Sequence, residues 1–239
     1  MPSDRGDLYV GYLPAPVRHR RFARLSFGVV LVLAGGIGFV GARFATNPGE
    51  GSWSSEVSHV DGVLRTEPTT YLQTPDGPVL LVEIGKFGAR TLNEVKDRPV
   101  RCRGTLIARG RHRMLELVTG ESAVQPTEQA QRPQGAASDP RGVEVIGEII
   151  DTKCYLGAMK PGAGPTHAAC ARLCIRGGIP AAIVGATPVG EQIWAVLDPG
   201  ESEVIDETLL SAVGKPVRLR GVLTERSGLS VLGQAELIP

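Results

Sequence analysis

The stretch PVRCRGTLIAR (Pro99–Arg109) has a near-copy further along the chain, PVRLRGVLTER (Pro216–Arg226), and seven of the eleven positions are identical. In the first stretch Cys102, Gly104 and Leu106 alternate with Arg101, Arg103 and Thr105, which is the two-residue period of a half-buried strand. A glycine inside such a strand marks a bend or a close backbone approach, as a small barrel requires. Upstream, VDGVLRTEP (residues 60–68) aligns more weakly with VIGEIIDTK (residues 145–153). Between them, VLLVEI (residues 79–84) corresponds to IWAVL (residues 193–197). Each is followed by a stretch of helical spacing, ARTLNEVK (residues 89–96) and VIDETLLSAV (residues 204–213). An internal repeat is the economical reading, against chance similarity of two short strands. Each repeat reads strand, strand, short helix, strand, strand, which suits an OB-like small β-barrel, with a β-sandwich as the alternative.

The fold class expected is therefore mainly β: one N-terminal transmembrane helix, then two OB-like modules, the second with a Cys/His-containing helical insert. The boundaries are a basic N-terminus at 1–24, a membrane helix at 25–44, module 1 at 52–121, a linker at 122–142 and module 2 at 143–239. The linker is rich in Pro, Gln, Ala and Ser and nearly free of large apolar residues.

The repeat also locates the insert. Gly62 to Pro99 spans 37 positions, whereas Gly147 to Pro216 spans 69. The extra block is KCYLGAMKPGAGPTHAACARLCIRGGIP (residues 153–180), and it holds three of the four cysteines. The first repeat closes without it, so it is a better functional candidate than any core position. The fourth cysteine, Cys102, aligns with Leu219 and is expected to be a small buried apolar residue.

Within the insert, Thr166 is placed to cap a helix through HAACARLCIR, and Gly177 and Gly178 to end it. His167, Cys170 and Cys174 fall at i, i+3 and i+7, on one helix face. Cys154 lies just upstream, within reach if the loop folds back. Three readings stay open. Cys154 pairs with Cys170 or Cys174 in a disulfide that closes the loop and contributes about 3 kcal/mol by chain entropy. Or Cys154, His167, Cys170 and Cys174 form a Cys3His metal set suited to Zn, or to Cu(I) through its thiolates. Or Cys170 or Cys174 is a reactive thiol whose pKa is lowered near the helix N-terminus. No cofactor beyond these metals is implied. Asp151 and Glu148, on the preceding strand, read as a solvated edge, and Trp53 and Trp194 as packing or interfacial residues.

The N-terminal residues bear on location. Residues 25–42, LSFGVVLVLAGGIGFVGA, are eighteen residues without a charge, about 27 Å as a helix and close to the ~30 Å bilayer core. Arg18, His19, Arg20, Arg21 and Arg24 precede them and only Arg43 follows closely. The positive-inside rule then puts the N-terminus in the cytoplasm and the modules in the periplasm or outside the cell. A cleaved signal peptide is the rival, but ARFA after the apolar run is a poor cleavage site because Phe44 is large. The partners expected are the membrane and other membrane or periplasmic subunits. Net charge is +1, so nucleic acid is not indicated, and the chain carries no G-x-S-x-G, H-E-x-x-H, C-x-x-C-H or phosphate-binding glycine loop.

At GEIIDTKCYLG and HAACARLCIRGGIP the sequence resembles a group of bacterial exported or membrane-anchored proteins that share a G-E-hydrophobic-hydrophobic-D-x-x-C-Y strand and an H-x-x-C-A-x-x-C-x-x-x-G-x-P helix. The resemblance covers residues 147–180, roughly a seventh of the chain, and implies an extracytoplasmic domain. The architecture of one anchor followed by an OB-type barrel is also similar to the haem chaperone of cytochrome c maturation. That family's His-x-x-x-Tyr haem motif does not occur here.

Overall fold

The computed structural model describes residues 17–44, 49–89, 92, 95–128, 138–202 and 204–239. The chain divides into two compact units, Met1–Asn47 and Pro48–Pro239. The first contains α1 (Val17–Phe44). Over His19–Gly38 this helix is long and apolar enough to cross a membrane. It starts before residue 25 because the arginines of the basic flank are good helix formers and continue the same helix.

The second unit holds two β-barrels. In the first, β1 (Ser52–Arg65), β2 (Tyr71–Thr74), β3 (Gly77–Val82), β4 (Pro99–Arg109) and β5 (His112–Leu117) are ordered β1-β2-β3-β5-β4 and closed by β1 against β4. A short β6 (Val124–Pro126) adds to β4. In the second, β7 (Arg141–Asp151), β8 (Ala181–Ala186), β9 (Gln192–Leu197), β10 (Pro216–Arg226) and β11 (Leu229–Leu237) close in the corresponding order. All neighbours are antiparallel except β3 with β5 and β9 with β11, which are parallel in both barrels. These are OB-like modules.

The register agrees as well as the order. Val60 faces Cys102 and Gly62 faces Val100; Val145 faces Leu219 and Gly147 faces Val217. Cys102 and Leu219 are both fully buried, so the thiol fills an aliphatic position. The glycine shared by the two stretches has a steric reason. A Cβ on Gly104 would lie 2.2 Å from the Glu116 carbonyl oxygen, and one on Gly221 2.8 Å from that of Gly233.

The structure departs from expectation in strand number. Each barrel has a further strand, β2 or β8, that four buried residues (Tyr71–Thr74) or a small-residue run (Ala181–Ala186) conceal from a test based on alternation. Val124–Pro126 and the start of β7 fall within the stretch read as linker, where they pair with β4 and β10. Residues 129–137 of that stretch lie outside the described residues, as do four of the eight residues of ARTLNEVK. Its counterpart in the second barrel is α3 (Glu207–Ala212), capped by Asp206 Oδ1 accepting from the Thr208 and Leu209 amides at 2.8 and 3.0 Å.

The barrels meet over a shared apolar cluster. Tyr71, Leu80, Ile107 and Met114 from the first join Ile150, Tyr155, Leu156 and Val196 from the second. Ile107 breaks the inward alternation of β4 because this end of the strand is covered on its outer face by the insert. The Arg109 guanidinium lies 4.3 Å from the Tyr155 ring centroid. His112 stacks on Trp194 with centroids 4.2 Å apart, and Tyr71 Oη donates to the Arg226 carbonyl at 2.8 Å.

Candidate thiol centre

The insert is the connection from β7 to β8, residues 152–180. The equivalent connection in the first barrel is residues 66–70. It opens with a wide helical turn over Cys154–Ala158, ended by Gly157 at φ 146°. A Cβ on Gly157 would meet the Ser52 amide nitrogen at 2.4 Å, so this turn rests directly on β1. The chain returns through α2 (Ala168–Arg176). The helix stops at the two glycines as expected. The Gly178 amide donates to Ile175 O at 2.9 Å and the Ile179 amide to Cys174 O at 3.0 Å, with Gly178 at φ 96°.

At its start, α2 differs from expectation. His167, not Thr166, occupies the capping position and makes no side-chain cap bond. Its Nε2 lies 2.9 Å from Asp151 Oδ2. Asp151 is fully buried, not part of a solvated edge. Its other oxygen, Oδ1, accepts from the Cys154 amide at 2.8 Å. One carboxylate thus fixes both the imidazole and the backbone that carries the first thiol. The D-x-x-C spacing, with an Asp three residues before a helical turn, is the pattern of a capping carboxylate and was the signal available in the sequence. Glu148 Oε1 accepts from the Gly164 amide at 2.6 Å and ties the glycine-rich loop to β7.

The sulfurs of Cys154, Cys170 and Cys174 all lie within 4.8 Å of one another. No disulfide links Cys154 to Cys170 or Cys174; all four cysteines are free. The expected Cys3His group divides in two. Three sulfurs form one cluster, while His167, Asp151 and Cys154 form a second that shares the Cys154 sulfur. Cys154 and Cys174 are buried and Cys170 is half-buried, so Cys170 is the most solvent-accessible of the three.

The first barrel contributes a residue that has no local signal in the sequence. Lys86 Nζ donates to Cys170 Sγ at 2.8 Å and to Cys174 Sγ at 3.6 Å. Its loop, residues 83–88, is held in place by backbone contact. The Gly88 amide donates to Gly177 O at 3.1 Å. A Cβ on Gly177 would fall 1.7 Å from the Lys86 carbonyl oxygen, so only glycine allows this approach. Lys153 holds the same loop from beneath, its Nζ donating to Glu83 O at 3.0 Å and Gly85 O at 2.6 Å. Lys153 also forms a buried ion pair with Glu116 of β5.

The electrostatics follow from these contacts. A hydrogen bond from Cys154, with the Lys86 ammonium nearby, pulls the Cys174 thiol down to about 7. Cys154, the donor in that bond and buried beside Asp151, is pushed up. The hydrogen bond to Cys170 raises Lys86. Cys102, far from this chemistry, is pushed up to about 12 by burial. The centre is therefore a group of three sulfurs in which the Cys174 thiol ionises in preference to that of Cys154, with the Lys86 ammonium beside it.

No protein-family model, curated protein or solved structure matches the chain.

Proposed function

We propose that the chain is a membrane-anchored extracytoplasmic binding protein that holds a soft metal ion on Cys154, Cys170 and Cys174. The observation that carries this reading is the mutual approach of three free sulfurs. Metal–sulfur bonds of about 2.3 Å separate ligating sulfurs by roughly 4 Å. A disulfide would use two of the three and leave one thiol over. Thiolates select Cu(I) and Zn. Asp151 orients the backbone of one ligand, the kind of outer support that metal ligands commonly receive.

The apolar α1 and its basic flank support an inner-membrane anchor with the barrels in the periplasm or outside the cell. The shared strand order and register support reading the barrels as copies of one module. The absence of hydrolase and nucleotide motifs favours an accessory role beside other membrane or periplasmic subunits. The second reading is a thiol redox protein using Cys170 or Cys174, which the lowered Cys174 thiol favours.

Elemental analysis with free-thiol counting on the full chain, purified from its native compartment, separates these. About one zinc or copper per chain, with three thiols released by a chelator, supports the metal reading. Absence of metal with two thiols blocked turns the centre into a disulfide or redox site and overturns it.

A further inference from the structure

We infer that the ion at the three sulfurs is monovalent copper in three-coordination, and that Lys86 from the first barrel supplies its countercharge in place of a fourth ligand. This rests on the soft-metal reading above and specifies it. A zinc site of this kind is almost always tetrahedral and needs a fourth donor. His167 is the candidate by spacing, yet its imidazole groups with Asp151 and Cys154 and does not join the three sulfurs; its Nε2 contacts Asp151 at 2.9 Å. The side chain that approaches Cys170 and Cys174 instead is Lys86. An ammonium donates hydrogen bonds but has no lone pair with which to ligate.

Charge points the same way. Three thiolates around Cu(I) carry a net charge of −2. Burying such a centre is costly unless a cation lies beside it. Lys86 meets this need, donating to one sulfur at 2.8 Å and reaching a second at 3.6 Å. Its position is imposed from both sides, by the Gly88–Gly177 backbone contact and by Lys153 on the Glu83 and Gly85 carbonyls. The three ligands come from the second barrel and the compensating charge from the first. The metal centre is thus a property of the pair.

The test uses the reduced full chain in detergent under anaerobic conditions. Cu(I) affinity is measured by competition with a chromophoric Cu(I) chelator, and X-ray absorption reads the ligand set in the unsubstituted protein. One Cu(I) per chain bound by three sulfurs and no nitrogen is expected. Lys86→Met should weaken binding roughly 10- to 100-fold, as for other residues that support metal ligands, and Lys86→Arg should restore most of it. Four-coordinate Zn(II) on three sulfurs and a nitrogen, held in preference to Cu(I), would overturn this inference and leave the soft-metal reading standing. So would a Lys86→Met protein with unchanged Cu(I) affinity. Failure of the unsubstituted chain to bind either ion overturns both. The ligand set in the unsubstituted protein decides the matter even if Lys86→Met does not fold.

Discussion

The two barrels have the same five-strand order and the same pairing between their first and fourth strands, yet one is plain and the other carries the three-sulfur cluster. The difference lies in a single connection. The first barrel crosses from β1 to β2 in residues 66–70, while the second takes residues 152–180 to reach β8 from β7. Closure does not depend on the longer path, because the shorter one achieves it. The comparison teaches that the strands supply a frame and that the site is built on an excursion from it. The plain barrel is not idle, however. Its outer face packs on the excursion, and its loop 83–88 delivers Lys86 to the sulfurs.

The sharpest way to break this relationship is at the buried pair between Lys153 and Glu116, which links the excursion to β5. Lys153→Met leaves the Glu116 carboxylate buried without its partner and should cost about 3–5 kcal/mol in urea unfolding of the full chain. Adding Glu116→Leu should recover most of that loss, because an apolar pair of similar size avoids the stranded charge. Full stability in the single variant would mean that the excursion and the first barrel are energetically separate.

A milder probe is acid. His112 stacks on Trp194 across the junction, and burial pulls its imidazole down to about 4. Its unfolded counterpart takes up a proton near pH 6.5. Between these values the unfolded chain binds more protons, so stability falls as pH drops through the window. After allowance for partial exposure, the loss attributable to this residue is about 1 kcal/mol. His112→Phe should keep the stack and flatten that part of the profile. An unchanged pH profile in the variant would show that the junction does not sense the imidazole.

The smallest effect concerns the position where the barrels differ by one side chain. Cys102→Val should change stability by less than about 1.5 kcal/mol, since the site accepts an aliphatic group in the other barrel. In the folded protein Cys102 should also resist iodoacetamide, read by mass spectrometry, because its buried thiol ionises only near about 12. Rapid labelling there would contradict the equivalence of Cys102 and Leu219.

Much of this frame is legible in the primary structure. The paired stretches at 99–109 and 216–226 fix the fourth strands, because strand alternation and a sterically required glycine leave a local imprint. The unequal spacing to Pro99 and Pro216 reveals the insert. The cysteines identify themselves by rarity. The second strands are concealed because Tyr71–Thr74 is buried on every residue and shows no alternation. The role of Asp151 is concealed because charge alone suggests solvent, whereas its two oxygens are both engaged inside the fold. Lys86 lies 84 residues from Cys170, and nothing near it in sequence distinguishes it from a surface lysine. Its role comes from docking of one barrel on the other, which no local pattern encodes.

The Lys153–Glu116 pair has one more consequence. Its partners sit on opposite sides of a shared apolar cluster, so pulling them apart would expose that cluster to water, a cost that the regained hydration of the two charges offsets only in part. A half-opened chain is therefore a poor resting point. Everything after Asn47 should melt in one cooperative step, and severing the chain between the barrels should yield two fragments neither of which keeps the fold of the whole.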